Sequence, residues 1–315
     1  MDISNKTAKK TTEFMQGLGV PVCASNLSAS TKRFPDGAQY RIEIPSCENP
    51  QSLAAVLEEA NRYRVRVHRV SQGSGIMLMT DAEISEMLRM AKQGKIELSL
   101  FVGPRAPFDT SPQPLAPSGK VIGWNLRGCS QLTYAVEDVK RGCDLGLRSV
   151  LVCDLGLLWI LDEMKKAGEL PANLCIKISI LHSIPNAATA KIFERHGATT
   201  LNVSPDLSLE HFWEIRQAVN TPLDVYVEVP DGFGGYIRYY EAPEMIRVAS
   251  PMYVKLGLRN APDIYPSGRQ LEQVGILMSR ERVRRARIVL DLIERYTPEA
   301  IMSEEGPSDL GIPEI

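Results

Sequence analysis

No two of the six cysteines form a C-x-x-C pair; Cys23, Cys47, Cys129, Cys143, Cys153 and Cys175 are scattered singly. That spacing suits neither a zinc knuckle nor a disulfide framework, and it implies reduced thiols in a cytoplasmic protein. The chain has no run of about 18 apolar residues, the length needed to span a bilayer. Residues 1–19 are polar and lysine-bearing and lack the apolar stretch of a signal peptide. Neither sign of charge dominates, with 36 Lys and Arg against 38 Asp and Glu for a net charge of −2. Without a basic field, nucleic acid is not an expected partner, and without an apolar span neither is a membrane. A glycine-rich turn after the first strand is also missing. Residues 40–44 (YRIEI) run into Pro45-Ser46-Cys47 instead, which argues against an open doubly wound sheet.

What the sequence does have is rhythm. Short β-rich runs begin near Tyr40, Val65, Ile96, Ser149, Cys175, Thr199, Leu223 and Met252. Amphipathic stretches over 50–63, 81–93, 131–145, 157–166, 186–196, 208–219, 243–248 and 270–296 follow most of them. Strand–helix alternation demands parallel pairing with right-handed crossovers, and eight units are the number that closes a barrel. The expected fold is an α/β class, single (β/α)8 TIM barrel over residues 39–302. Residues 1–38 form an N-terminal extension against the barrel bottom, and 303–315 a mobile acidic C-terminal tail. Asp81 and Ser208 read as helix N-caps, and Gly197 as a C′ glycine. The proline-rich loop 103–128 reads as a cover over the strand ends, and 230–240 (PDGFGGYIRYY) as a ligand-approaching loop.

In a barrel, alternate strand residues face the axis and the rest face the helices. Placing the aliphatic set outward leaves Asp224, Tyr226 and Glu228 inside on strand seven. Strand eight contributes Tyr253, Lys255 and Arg259, and strand five Lys177 and Ser179. Arg41 and Glu43 point inward from strand one, Arg66 and His68 from strand two, and Asn202 and Ser204 from strand six. Strand three is ambiguous at Glu97, and strand four offers Asp154 at its carboxyl end. Barrel interiors are ordinarily layers of branched aliphatics, and buried ions cost several kcal/mol unless paired. So polar an interior points to chemistry, with a structural ion network as the competing reading.

The catalytic candidates are Glu228 and Lys255 as an acid/base pair, with His68 as a base and Lys177 or Lys255 as an imine-forming amine. Substrate-binding candidates are Arg41, Glu43, Arg105, Asn202, Tyr226, Arg238 and Arg259, whose guanidinium forks suit an anionic group. No cofactor is identified. A divalent metal held by Glu43, His68, Asp154, His182 and Glu228 stands as an alternative, although no local ligand spacing supports it.

The stretch Leu201-Asn-Val-Ser-Pro-Asp-Leu-Ser-Leu-Glu210, with Ile215 and then Leu223-Asp-Val-Tyr-Val-Glu228, resembles the strand-six to strand-seven region of the collagenase-like peptidase family U32. The resemblance implies a barrel domain and peptidase-like chemistry. It departs at Val229-Pro-Asp-Gly-Phe-Gly-Gly235, where the family carries a cysteine-rich signature, so an iron–sulfur cluster is not expected.

Three readings follow. The first is a hydrolase acting on a small-molecule or peptide substrate with an anionic or amide group. The second is a lyase, aldolase or isomerase using a metal or a lysine Schiff base. The third is a non-catalytic binding or cofactor-biosynthesis accessory barrel. Barrels of this size often pair through their outer helices, which makes a homodimer the expected assembly.

Overall fold

The computed structural model describes residues 6–21, 27–103 and 125–315. Eight parallel strands close into a barrel in strict chain order. They are β1 (Tyr40–Pro45), β2 (Arg69–Ser71), β3 (Glu97–Phe101), β4 (Ser149–Val152), β5 (Cys175–Ile178), β6 (Thr200–Asn202), β7 (Leu223–Glu228) and β8 (Met252–Leu256). Closure comes from β8 lying beside β1, with Glu43 opposite Lys255. Helix α1 (Lys6–Gly17) precedes the barrel. Helices α2 (Pro50–Tyr63), α3 (Asp81–Gln93), α4 (Gly128–Asp144), α5 (Leu155–Lys166), α6 (Ala187–Arg195), α7 (Leu209–Ala218), α8 (Ala242–Ala249) and α9 (Glu272–Tyr296) surround it.

The shell between sheet and helices is aliphatic. Ile42, Ile44, Val70, Leu98, Val150, Ile176, Ile178, Leu201, Val225 and Val254 are buried there with Leu53, Leu88, Leu158 and Val289 from the helices. Each such side chain contributes about 1.5–3 kcal/mol on leaving water, which fixes which face of every strand is outward. The caps follow local chemistry. Ser208 closes a capping box at α7 as expected, whereas α3 is capped by Thr80 with Glu83, one residue before Asp81. Gly197 has φ 86°, the left-handed conformation that ends α6.

The two chain ends meet under the barrel. Phe34 and Ala38 pack with Tyr253 and Leu310 at the amino ends of the strands. The closing segment 303–315, expected to be a mobile tail, is seated there instead. Asp309 receives a two-pronged bond from Arg41 at 2.7 and 2.9 Å, and the Gly311 amide points at Glu97. Its acidic residues answer arginines on the barrel floor, so they order the segment rather than solvate it.

Candidate active site on the barrel axis

The barrel's interior is an ion network. Arg69 Nε lies 2.8 Å from Glu97 Oε1, and its Nη1 lies 3.2 Å from Glu43 and 3.0 Å from Asp224. Lys177 Nζ contacts Glu43 Oε2 at 2.7 Å and also Asp224. Lys255 Nζ lies 3.2 Å from Glu43 Oε1. The three cations match the three carboxylates, and all six side chains are buried. Hydroxyls satisfy further lone pairs: Ser71 donates to Glu43, Ser149 to Glu97 and Thr200 to Asp224. The Tyr253 ring lies 3.6 Å beneath the Arg69 guanidinium.

Burial by itself would push the Glu43 carboxyl up, but Lys177, Lys255 and Arg69 together hold it well below the usual carboxylate range. Burial draws the Lys177 ammonium down to about 8 against the pull of Asp224 and Glu43.

Lys255 occupies the upper edge of this network. Its Nζ faces the Tyr226 ring at 4.6 Å and donates to the Asn202 amide oxygen at 2.9 Å, with that amide turned so that its nitrogen donates to the Asp224 carbonyl. Above it the roof is apolar. Ile180, Tyr226 and Val229 pack with Phe233 and Tyr236, and Phe101, Leu151 and Cys153 pack with Leu181. Tyr236 also lines an open groove of about 620 Å³ between the β6–α7 and β7–α8 loops, together with Asp206, Leu207 and Ile237.

Several expected site residues lie elsewhere. Glu228 does not face the axis. A bulge between Tyr226 and Glu228 breaks the β7–β8 register, so Val229 turns inward and Glu228 turns out toward α9. There Glu228 accepts from the Tyr239 hydroxyl, from the Arg259 amide at 2.9 Å and from Arg285 at 3.4 Å. It is buried in the wall, and Lys255 is not its partner.

His68 and Arg66 sit at the barrel bottom. The chain over 65–68 is irregular, and Val67 and Val70 both enter the outer core, so the alternation slips by one residue. That slip delivers Arg69 and Ser71 to the axis in their place. His68 Nδ1 accepts from the Ile42 amide, and Nε2 donates to the Ser303 carbonyl at 3.0 Å. Burial lowers its pKa to about 4, so the ring is neutral and committed to backbone. Arg41 is the second residue of β1, which places it on the floor with Asp309 and not at the mouth.

The metal alternative fails on geometry. Asp154 caps α5 by accepting from Leu157 and also binds the Leu126 amide. His182 packs edge-on against Phe193 at 4.5 Å, away from the axis. With Glu43 in mid-barrel, His68 on the floor and Glu228 in the wall, the five candidates do not converge. Among the described residues no three His, Cys, Asp or Glu side chains are placed to share an ion.

Of the proposed anion binders, Arg238 is spent on the Pro205 and Leu207 carbonyls and on Glu241, and it holds two loops together. Arg259 is half-exposed, 3.8 Å from Asp231. Arg105, and with it most of the proline-rich loop, lies outside the described residues.

Alternation reasoning missed Arg69 and Arg282 and left Glu97 undecided. Val70 was the usable signal for Arg69, because an aliphatic there forces 69 and 71 inward. Arg282 falls on the buried stripe of α9 with Gly275, Ser279, Ala286, Leu290 and Ile293, where an arginine is out of place.

No protein-family model and no curated protein matches the chain. Among solved structures it is similar to the U32 peptidase Mk0906, at 16% identity over 76% of this chain and 98% of that one, with a TM-score of 0.43. It is also similar to a truncated 3-deoxy-D-arabino-heptulosonate 7-phosphate synthase from Thermotoga maritima, at 10% identity over 84% and 90%, with a TM-score of 0.46. Likeness at this level carries no argument about activity and does not assign the chain to the U32 family. The barrel rests on the strand pairing itself.

Proposed function

We propose that the chain is a barrel enzyme acting on a small anionic carbonyl compound, with Lys255 as the working amine. The observation that carries this reading is the position of Lys255. It is the uppermost cation of the network, held by one carboxylate oxygen at 3.2 Å, and it faces a tyrosine ring rather than a second counter-ion. Lys177, by contrast, is clamped between Glu43 and Asp224 in the barrel's middle. The carboxyl end of the strands is where barrel chemistry is done. The groove bordered by Tyr236 opens among the loops at that end.

Chemically, an amine beside an ionised carboxylate and under an apolar roof suits imine formation. The ammonium and a carbonyl combine to give a protonated imine and one water, with no other reactant. The imine then acts as an electron sink for cleavage or proton shift at the neighbouring carbon, which is lyase or isomerase chemistry. A hydrolytic mechanism would have used Glu228 and His68 on the axis, and both lie away from it.

Borohydride treatment in the presence of 2-oxo acids and small aldehydes is the test. A mass increase equal to the reduced adduct supports the proposal. Absence of any adduct across the panel removes the imine reading of Lys255.

A further inference from the structure

The chain that leaves β7 turns back on it. Residues 230–235 (PDGFGG) make the turn, and Ile237 pairs antiparallel with Glu228. Two hydrogen bonds hold the returning arm. The Val229 amide donates to the Tyr236 carbonyl at 2.9 Å, and the Arg238 amide donates to the Val227 carbonyl at 2.7 Å. In this pattern it is the residues flanking Ile237 that bond to β7, so the N–H and C=O of Ile237 itself point away from it. Neither has a hydrogen-bond partner among the described residues. With its side chain 48% exposed, Ile237 is an open edge of β structure at the barrel's mouth. Such an edge is a template for an extended chain.

The edge lies in a preformed space. The groove of about 620 Å³ has Tyr236, Ile237 and Arg238 on one side and residues 206–210 on the other. Arg238 fixes the two walls together by donating to the Pro205 and Leu207 carbonyls at 2.9 and 2.7 Å. Those carbonyls flank Asp206, so Asp206 lies on the face of the arm that carries Tyr236 and Arg238. Ile237 takes the other face. Charge decides the occupant. Arg238 is the one cation among the groove's lining residues, and it is paired with Glu241 at 2.6 Å. Asp206 and Glu210 are exposed and form no ion pair among the described residues, so the groove keeps an uncompensated negative charge.

We propose that this groove docks an extended peptide segment of alternating basic and aliphatic residues, added to the arm as a further strand. The peptide residue opposite Ile237 exchanges both hydrogen bonds with it and lays an aliphatic side chain against the exposed isoleucine. Its two neighbours project to the Tyr236 face, where lysine or arginine meets Asp206 and Glu210. The groove's charge repels the small anion proposed for Lys255, so its occupant is a different molecule and the inference stands apart from that reading.

Fluorescence anisotropy with the full-length protein is the test. The probes are a labelled heptapeptide of alternating lysine and valine, its glutamate–valine counterpart, and the lysine peptide N-methylated at every valine. The lysine peptide is expected to bind with a Kd below about 200 μM, and the glutamate peptide not to bind. N-methylation removes the donor to the Ile237 carbonyl, and Ile237→Pro removes an amide that no internal bond uses. Asp206→Lys combined with Glu210→Lys reverses the charge. Each of the three changes is expected to weaken binding about tenfold or more. The methylated peptide tests the edge on the unaltered protein, so the result does not depend on either variant folding. Equal affinity for methylated and unmethylated peptide overturns strand addition. Failure of the lysine peptide to bind, or equal binding of the glutamate peptide, overturns the proposal altogether. So does a wild-type dimer in sedimentation that Ile237→Pro dissociates, because a second copy of the chain is then the occupant.

Discussion

Lys255 and Glu228 lie on adjacent strands but on opposite faces of the barrel wall, one turned to Glu43 on the axis and the other to Tyr239 and Arg285 among the helices. The bulge that separates them has a direct consequence. Glu228→Gln retains an acceptor for the Arg259 amide but loses the charge facing Arg285. It is expected to cost about 1–3 kcal/mol in denaturant unfolding while leaving borohydride trapping at Lys255 intact. Loss of trapping in a variant that remains folded would place Glu228 in the chemistry.

Arg69 bridges three buried carboxylates. Replacing it with Met leaves Glu97 without its cation and Glu43 and Asp224 facing only Lys177 and Lys255. Breaking a buried pair from one side costs about 3–5 kcal/mol, so Arg69→Met is expected to be among the most destabilising single changes in the protein. Arg280→Ala, which removes an exposed arginine paired with Glu58 and Glu59 between two outer helices, serves as the contrast and should leave the denaturation midpoint nearly unchanged. Comparison of the two denaturation midpoints checks the ranking.

His68 ties stability to pH. Its pKa is lowered from 6.5 to about 4 in the folded chain, so between those values the unfolded chain binds more protons. Folded stability therefore holds above pH 6.5 and falls as the pH drops toward 4, by on the order of 3 kcal/mol for this group. His68→Gln should flatten that part of the profile. The difference between wild-type and variant unfolding energies from pH 7 to 4.5 isolates the histidine from the carboxylates that titrate below it.

The closing segment is part of the barrel floor. Gly311 sits where a Cβ would collide with the Arg148 carbonyl, and its amide faces Glu97. Gly311→Val should lift 309–315 away, release Asp309 from Arg41 and speed hydrogen exchange in the Arg41 strand. Unchanged exchange there would show that the segment does not hold the floor closed.

Much of the fold was legible because the barrel's period is simple. Runs with outward aliphatics at alternate positions, such as Ile176 and Ile178 or Val225 and Val227, became strands, and Lys177, Asp224, Tyr226, Lys255 and Glu43 turned inward as that alternation requires. Failure came where the alternation itself breaks. One residue of slip before β2 exchanged His68 for Arg69, and one bulge in β7 exchanged Glu228 for Val229. Neither irregularity is encoded by a glycine or proline at the break, and for β2 only the aliphatic at Val70 announced it. Arg41 was placed on the correct face but at the wrong end, because face assignment says nothing of height along the strand. Arg282 was hidden for a different reason: it reaches the mouth from a helix, and only the burial of its whole stripe gives it away.

The account depends most on which lysine meets the substrate. Peptide mapping after borohydride reduction with a reactive 2-oxo acid or aldehyde, in wild type and in Lys255→Arg, decides it. The expected result is an adduct on Lys255 in the wild type and none in the variant, with Lys177 unmodified in both. An adduct on Lys177, or no adduct on either lysine, would contradict the assignment.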